Sequence, residues 1–192
     1  MARRHTAATL GLLALLGAGC HRSTFADRVE TPDWPEFSAR VKSYTELADR
    51  ADKDAPPLPD EATPEQIKAH KDVMADRVRQ ARSGARPKNV FGADRDRFVR
   101  VVRSEVRGPE GLPTKSTIAE DDPSRGETGP RVTLAVNGRY PDGAPLSTVP
   151  PTILLRLPSL PKDVEYRFVG KALVLHDARA NIIVDFIPNA LI

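Results

Sequence analysis

Eighteen prolines are spread along a chain of 192 residues, and they limit what can form between them. Each removes a backbone donor and clashes with the turn before it, so a helix starts beside one and stops before the next. The chain is thereby divided into short elements, and the length of any helix is capped. What remains is enough for one modest domain with a small core.

Between the prolines, helical periodicity appears three times. Phe37, Val41, Tyr44, Ala48 and Ala51 recur at spacings of four and three, which predicts a helix with one apolar face, started by Asp33 before Pro35. The Pro-dense run 54–60 ends it as an extended linker. Thr63-Pro64-Glu65-Gln66 then reads as a capping box with Pro at the first helical position. Ile67, Met74, Val78 and Ala81 form the expected apolar side of this second helix, and Gly84 its left-handed end. A third helix is expected over 93–107, with Phe91, Phe98, Val102 and Val106 on one face and Gly108-Pro109 stopping it.

The pattern then changes. Residues 109–130, PEGLPTKSTIAEDDPSRGETGP, hold almost nothing to bury and read as a flexible loop between a helical region, 33–108, and a β region, 131–192. Alternation of Val132, Leu134 and Val136 predicts a strand over 131–137, and 150–158 reads as one or two helical turns. Three strands are expected at 164–169, 172–176 and 182–187, the last two joined by a tight hairpin over 177–181. Leu173 and Leu175 should share one face, as should Ile182, Val184 and Phe186. The fold class is therefore α+β, amphipathic helices packed with a small antiparallel sheet.

Chemistry-bearing residues are sparse. His176-Asp177 offers a base beside a carboxylate, but neighbouring strand residues point to opposite faces, so the two should diverge. Asp185 on the next strand is the other partner that could reach His176, and the simpler reading is a solvent-facing His with a turn-forming Asp. Glu120-Asp121-Asp122 lacks the alternating spacing that wraps calcium, and His5, His21, His70 and His176 show no paired zinc spacing. No glycine-rich phosphate loop and no Gly-x-Ser-x-Gly elbow occurs. Arg95, Arg97, Arg100, Arg103 and Arg107 could touch anionic headgroups, yet Asp94, Asp96 and Glu105 are interleaved, as on a solvated helix face. No catalytic residue, metal ligand or cofactor is expected.

The chain opens with a positive start at Arg3 and Arg4, a short apolar run over 10–16 and the small residues Gly17, Ala18 and Gly19. That layout is a secretory signal over 1–19, too short to span a hydrocarbon core of roughly 30 Å. Leu16-Gly17-Ala18-Gly19-Cys20 resembles the lipobox of bacterial lipoproteins, departing from it at Gly17, where the family usually has Leu. The resemblance implies that Cys20, the sole cysteine, is lipidated and becomes the first mature residue, with a tether over 20–32. His21 beside it resembles outer-membrane sorting in a cell with two membranes. Ordinary cleavage near Gly19 or Cys20 is the alternative, and would leave a periplasmic or secreted protein with a free thiol. Loss of Arg3 and Arg4 lowers the 29 basic residues to 27 against 26 acidic ones, and aromatics are only 5%, so a nucleic-acid partner is not expected.

Residues 157–188 look like an ending of uncharacterised exported bacterial proteins. They are also distantly similar to the small periplasmic domain of nickel/cobalt-efflux regulators, through the Leu-Pro-rich lead, Tyr-Arg-Phe-Val-Gly and Ile-Ile-Val-Asp. The expected function is a lipid-anchored cell-envelope protein, non-enzymatic, acting by binding or scaffolding toward an envelope protein partner. A hydrolase using His176 with Asp177 or Asp185, and an accessory factor of metal efflux or stress response, are the alternatives.

Overall fold

The computed structural model describes residues 32–86, 89–120, 122 and 130–192. The signal at 1–19, Cys20 with its tether up to residue 31, Asp121 and the stretch 123–129 lie outside the described residues. Helices α1 (Pro35–Lys53), α2 (Pro64–Ala81), α3 (Arg95–Arg107), α4 (Gly111–Glu120) and the single turn α5 (Pro151–Leu154) precede three strands. These are β1 (Val164–Val169), β2 (Ala172–Asp177) and β3 (Ile182–Ile187), paired antiparallel in the order β1-β2-β3. The fold is α+β.

Helix α1 buries Phe37, Val41, Tyr44, Ala48 and Ala51 on one face, as its spacing predicts. Its N-cap is Trp34, not Asp33, and it makes no side-chain capping bond. Helix α2 carries the full capping box between Thr63 and Gln66. Its buried side is Met74, Ala75 and Val78, whereas Ile67 and Ala81 are exposed. Gly84 does not adopt the left-handed conformation; the cap is Arg82, which turns inward. Helix α3 begins after a tight turn at Gly92–Asp94 and buries Phe98, Val102 and Val106.

Phe98 is the hub of the inner core. Its ring meets Trp34 at 4.5 Å, Phe37 and Phe91 at 4.8 Å and Tyr166 of β1 at 5.9 Å. Phe37, Phe98, Tyr166, Leu175 and Ile182 belong to one buried cluster, so helices and sheet are two layers of the same core.

Three segments depart from the expected pattern. Residues 111–120 form a helix and not part of a flexible loop: Thr114 and Ile118 are buried on it. Gly111 permits its approach to α3, because a Cβ there would collide with the Val106 carbonyl oxygen. Residues 131–137 form no strand; beyond them an isolated bridge joins Arg139 to Ile182 of β3. The third departure is a bulge in β3. Leu175 pairs with Asp185 while His176 pairs with Ile183, leaving Val184 as an extra residue. Val184 therefore packs with the inner cluster, whereas Phe186 lies on the outer face with Val174 and Ile183.

The irregular run 130–150 closes the rest of the sheet. At the β3 edge, Asn137 N–H donates to Ile183 O at 2.8 Å, Ile183 N–H to Gly138 O at 2.8 Å and Tyr140 N–H to Asn181 O at 2.9 Å. At the β1 edge, Ser147 Oγ accepts from Phe168 N–H at 2.7 Å and donates to Phe168 O. Between these points Tyr140, Val132, Leu134 and Ala144 pack on the outer face. One segment thus straps both edges and one face of a sheet whose open edges would otherwise invite pairing.

Candidate functional site

The sheet alternates, so β2 presents consecutive residues to different neighbours, and His176 and Asp177 diverge as strand geometry requires. Neither is solvent-facing. His176 is 2% exposed and Asp177 0%, so the expected surface histidine is in fact buried beneath the strap.

His176 sits on the outer face. Its Nδ1 lies 3.0 Å from Glu165 Oε1 on β1, and its Nε2 lies 3.1 Å from Asn181 Oδ1. Asn181 donates through Nδ2 to Tyr140 O at 2.9 Å and to Asp142 Oδ1 at 3.0 Å, which fixes its carbonyl toward the ring. Both contacts of the imidazole are hydrogen bonds only when both nitrogens carry hydrogen. The Tyr140 ring covers it at 5.1 Å. Burial alone would raise the Glu165 carboxyl, but hydrogen bonds from Arg167 and His176 outweigh it and hold the group below its ordinary value. Burial pushes the Tyr140 hydroxyl up to about 12.

Asp177 sits on the inner face. Oδ2 accepts from Tyr44 O–H at 2.6 Å, and Oδ1 accepts from the Arg179 and Ala180 N–H groups at 2.8 and 3.1 Å. One carboxylate therefore shapes the hairpin turn and ties it to α1. Burial, then the Asp177 charge, raise the Tyr44 hydroxyl well above its ordinary value.

Asp185 faces inward because of the bulge, on the opposite side from His176. Its Oδ2 accepts from Val90 and Phe91 N–H at 2.7 and 3.0 Å, pinning the segment that leads into α3. Beside it, Arg82 donates to Val184 O at 3.1 Å and lies 5.0 Å over the Tyr44 ring. Burial lowers the Arg82 guanidinium below its ordinary value. Arg40 closes the same segment from α1, donating to Val90 O, Phe91 O and Asp94 over Gly92, where a side chain would collide with the guanidinium.

A surface cleft lies where α1, the Pro-rich linker, α2 and the hairpin turn meet. A cavity of about 360 Å³ there is lined by Leu58, Ile67, His70, Lys71, Asp163 and Arg179 among others. A second, about 310 Å³, shares Ile67 and Lys71 and extends past Lys68 to Arg139 and Asn181. His70 Nε2 lies 2.8 Å from Asp52 Oδ1 and Nδ1 lies 2.7 Å from Pro56 O, so this ring too faces an oxygen on each side. Arg179 is surrounded by Asp49 at 2.9 Å, Asp163 at 3.4 Å and Asp52 at 3.9 Å. Burial opposes its charge, but the hydrogen bond to Asp49 and the charges of Asp177 and Asp163 hold its guanidinium above the ordinary value. Lys68 and Arg139 both contact Asp72 and hold its carboxyl below the usual range. Leu58 and Ile67 remain 44% and 38% exposed among these charges.

Sequence reasoning missed the His70–Asp52 pair and the acids around Arg179, since the partners come from different elements and no local spacing marks them. Of the other expected residues, Glu120 closes α4 with Ser116, and Asp122 Oδ1 accepts from Gly170 N–H at 2.8 Å. Within the arginine series, Arg97 stacks on Trp34 at 4.2 Å and Arg103 donates to Asn189 O at 3.1 Å. His5, His21 and Cys20 lie outside the described residues. Among the described residues no group of three or more His, Cys, Asp or Glu side chains is placed to hold a metal ion, and no helix is long and apolar enough to cross a membrane. No family model matches the sequence, and neither a curated protein nor a solved structure matches the chain.

Proposed function

We propose that the chain is a non-enzymatic binding or scaffolding module of the cell envelope, held at a membrane by lipid on Cys20. Sorting would be to the outer membrane in a cell with two membranes. The anchoring half rests on the leader layout and the lipobox-like run before Cys20.

The observation that carries the non-enzymatic half is the engagement of the buried polar groups. A general base needs a lone pair directed at a substrate, with an oriented partner behind it. Both ring nitrogens of His176 and of His70 already face oxygens. Asp177 and Asp185 are spent on backbone N–H groups, so a hydrolase built on His176 with either carboxylate would have to break the fold's own ties. The charged cleft around Ile67 and Arg179 is the proposed binding face, because it leaves apolar side chains exposed within a polar rim.

Growth with labelled palmitate, followed by membrane fractionation, tests the anchor. Wild-type chain should carry label and sediment with membranes, and Cys20→Ala should do neither. An unlabelled, soluble wild-type chain would refute anchoring. A folded His176→Ala variant should keep the cellular role; its loss in that variant would bring the enzyme reading forward.

A further inference from the structure

A groove between α4, the β1–β2 turn and the C-terminal residues has a volume of about 370 Å³. Val106, Ile118, Ala119 and Leu191 supply apolar walls, and Lys115 and Lys171 stand in the same lining. Both lysines are exposed, and among the described residues neither joins an ion pair. Among the described residues of the lining the one acidic side chain, Asp122, has an oxygen on Gly170 N–H. The contrast with the α2 cleft is informative. There Arg179 is answered by Asp49 and Asp163, and Lys68 and Arg139 by Asp72, while Lys71 joins no ion pair among the described residues. In the α4 groove neither of the two ammonium groups beside the apolar walls has an acidic partner among the described residues.

Apolar walls favour alkyl groups that give up their water, and unpaired ammonium groups favour an anionic oxygen. A single ligand satisfies both when it joins an alkyl tail to a charged head. We propose that this groove binds a single-chain amphiphile with an anionic head, specifically a free fatty-acid carboxylate, with its tail along Ile118 and Leu191 and its head between Lys115 and Lys171. The site goes beyond the anchoring proposal and does not depend on it.

The test uses the full chain carrying Cys20→Ala, so that no attached lipid competes, and titrates monomeric decanoate by calorimetry. Saturable one-to-one binding is expected. Lys115→Ala and Lys171→Ala should each weaken it about tenfold, the loss of one charge-assisted contact, and decanol should bind about tenfold more weakly than decanoate. Ala119→Phe, which fills the groove from a half-exposed helix position, should abolish binding while circular dichroism stays unchanged. Absence of saturable decanoate binding would overturn the proposal. So would equal affinity in the lysine variants, or binding to anionic phosphatidylglycerol vesicles without binding to monomeric decanoate.

Discussion

The two faces of the three-stranded sheet are both closed to solvent, but by different means. The inner face is covered by α1 and α3, regular helices whose apolar residues recur at helical spacing and meet around Phe98. The outer face is covered by residues 130–150, which form no regular element and hold on through a few hydrogen bonds at Asn137, Gly138, Tyr140 and Ser147. Asp177 and His176, adjacent on β2, belong one to each face. The inner cover draws its stability mainly from buried area and ring packing, the outer from a few directional contacts added to a smaller apolar cluster.

The largest expected effects lie on the inner face. Leu175→Asp places an unpaired charge beneath the helices and should leave no folded protein, read as loss of the cooperative thermal transition. Phe98→Ala removes a ring that touches four others and should cost about 3–5 kcal/mol in urea unfolding. A cost comparable to that of an outer-face truncation would erase the contrast between the faces.

Next come the polar ties of the inner face. Tyr44→Phe takes the donor from a buried carboxylate and should cost about 1.5–3 kcal/mol. On the outer face, Tyr140→Phe removes only the bond to Pro145 O and should cost about 1 kcal/mol. Equal costs would show that the strap is as firmly held as α1.

The smallest effect is a pH dependence on the outer face. Glu165 is held below its ordinary value, so the folded chain releases this proton more readily than the unfolded one. Its contribution is present above the ordinary value of 4.5 and is lost as pH falls below it toward the lowered folded value. Glu165→Gln should therefore flatten the acid limb of the stability curve, as followed by denaturant midpoints across pH.

The same contrast explains what was legible in the sequence. The buried face of α1, the capping box of α2 and the antiparallel pairing of β2 with β3 follow from local rules, and each appears as predicted. Helix α4 was hidden because few of its residues are apolar and its seating depends on Gly111 clearing a carbonyl of α3. The β3 bulge adds one residue at Val184, and no alternation pattern reveals the shift that sends Phe186 outward and Asp185 inward. Burial of His176 depends on Tyr140, 36 positions away in the chain, and on an irregular strap whose alternation at Val132, Leu134 and Val136 reads instead as a strand. Ile67 was misread for the opposite reason: its spacing fits the apolar face of α2, yet it stays 38% exposed in the cleft.

A pair of double-mutant cycles, measured by urea unfolding, tests most directly whether His176 and Asp177 serve separate faces. His176→Gln with Asp177→Asn should be additive to within about 0.5 kcal/mol, as for groups with no shared partner. Tyr44→Phe with Asp177→Asn should depart from additivity by about 1 kcal/mol or more, because the two share a buried hydrogen bond. Strong coupling between His176 and Asp177, with none between Tyr44 and Asp177, would contradict the account.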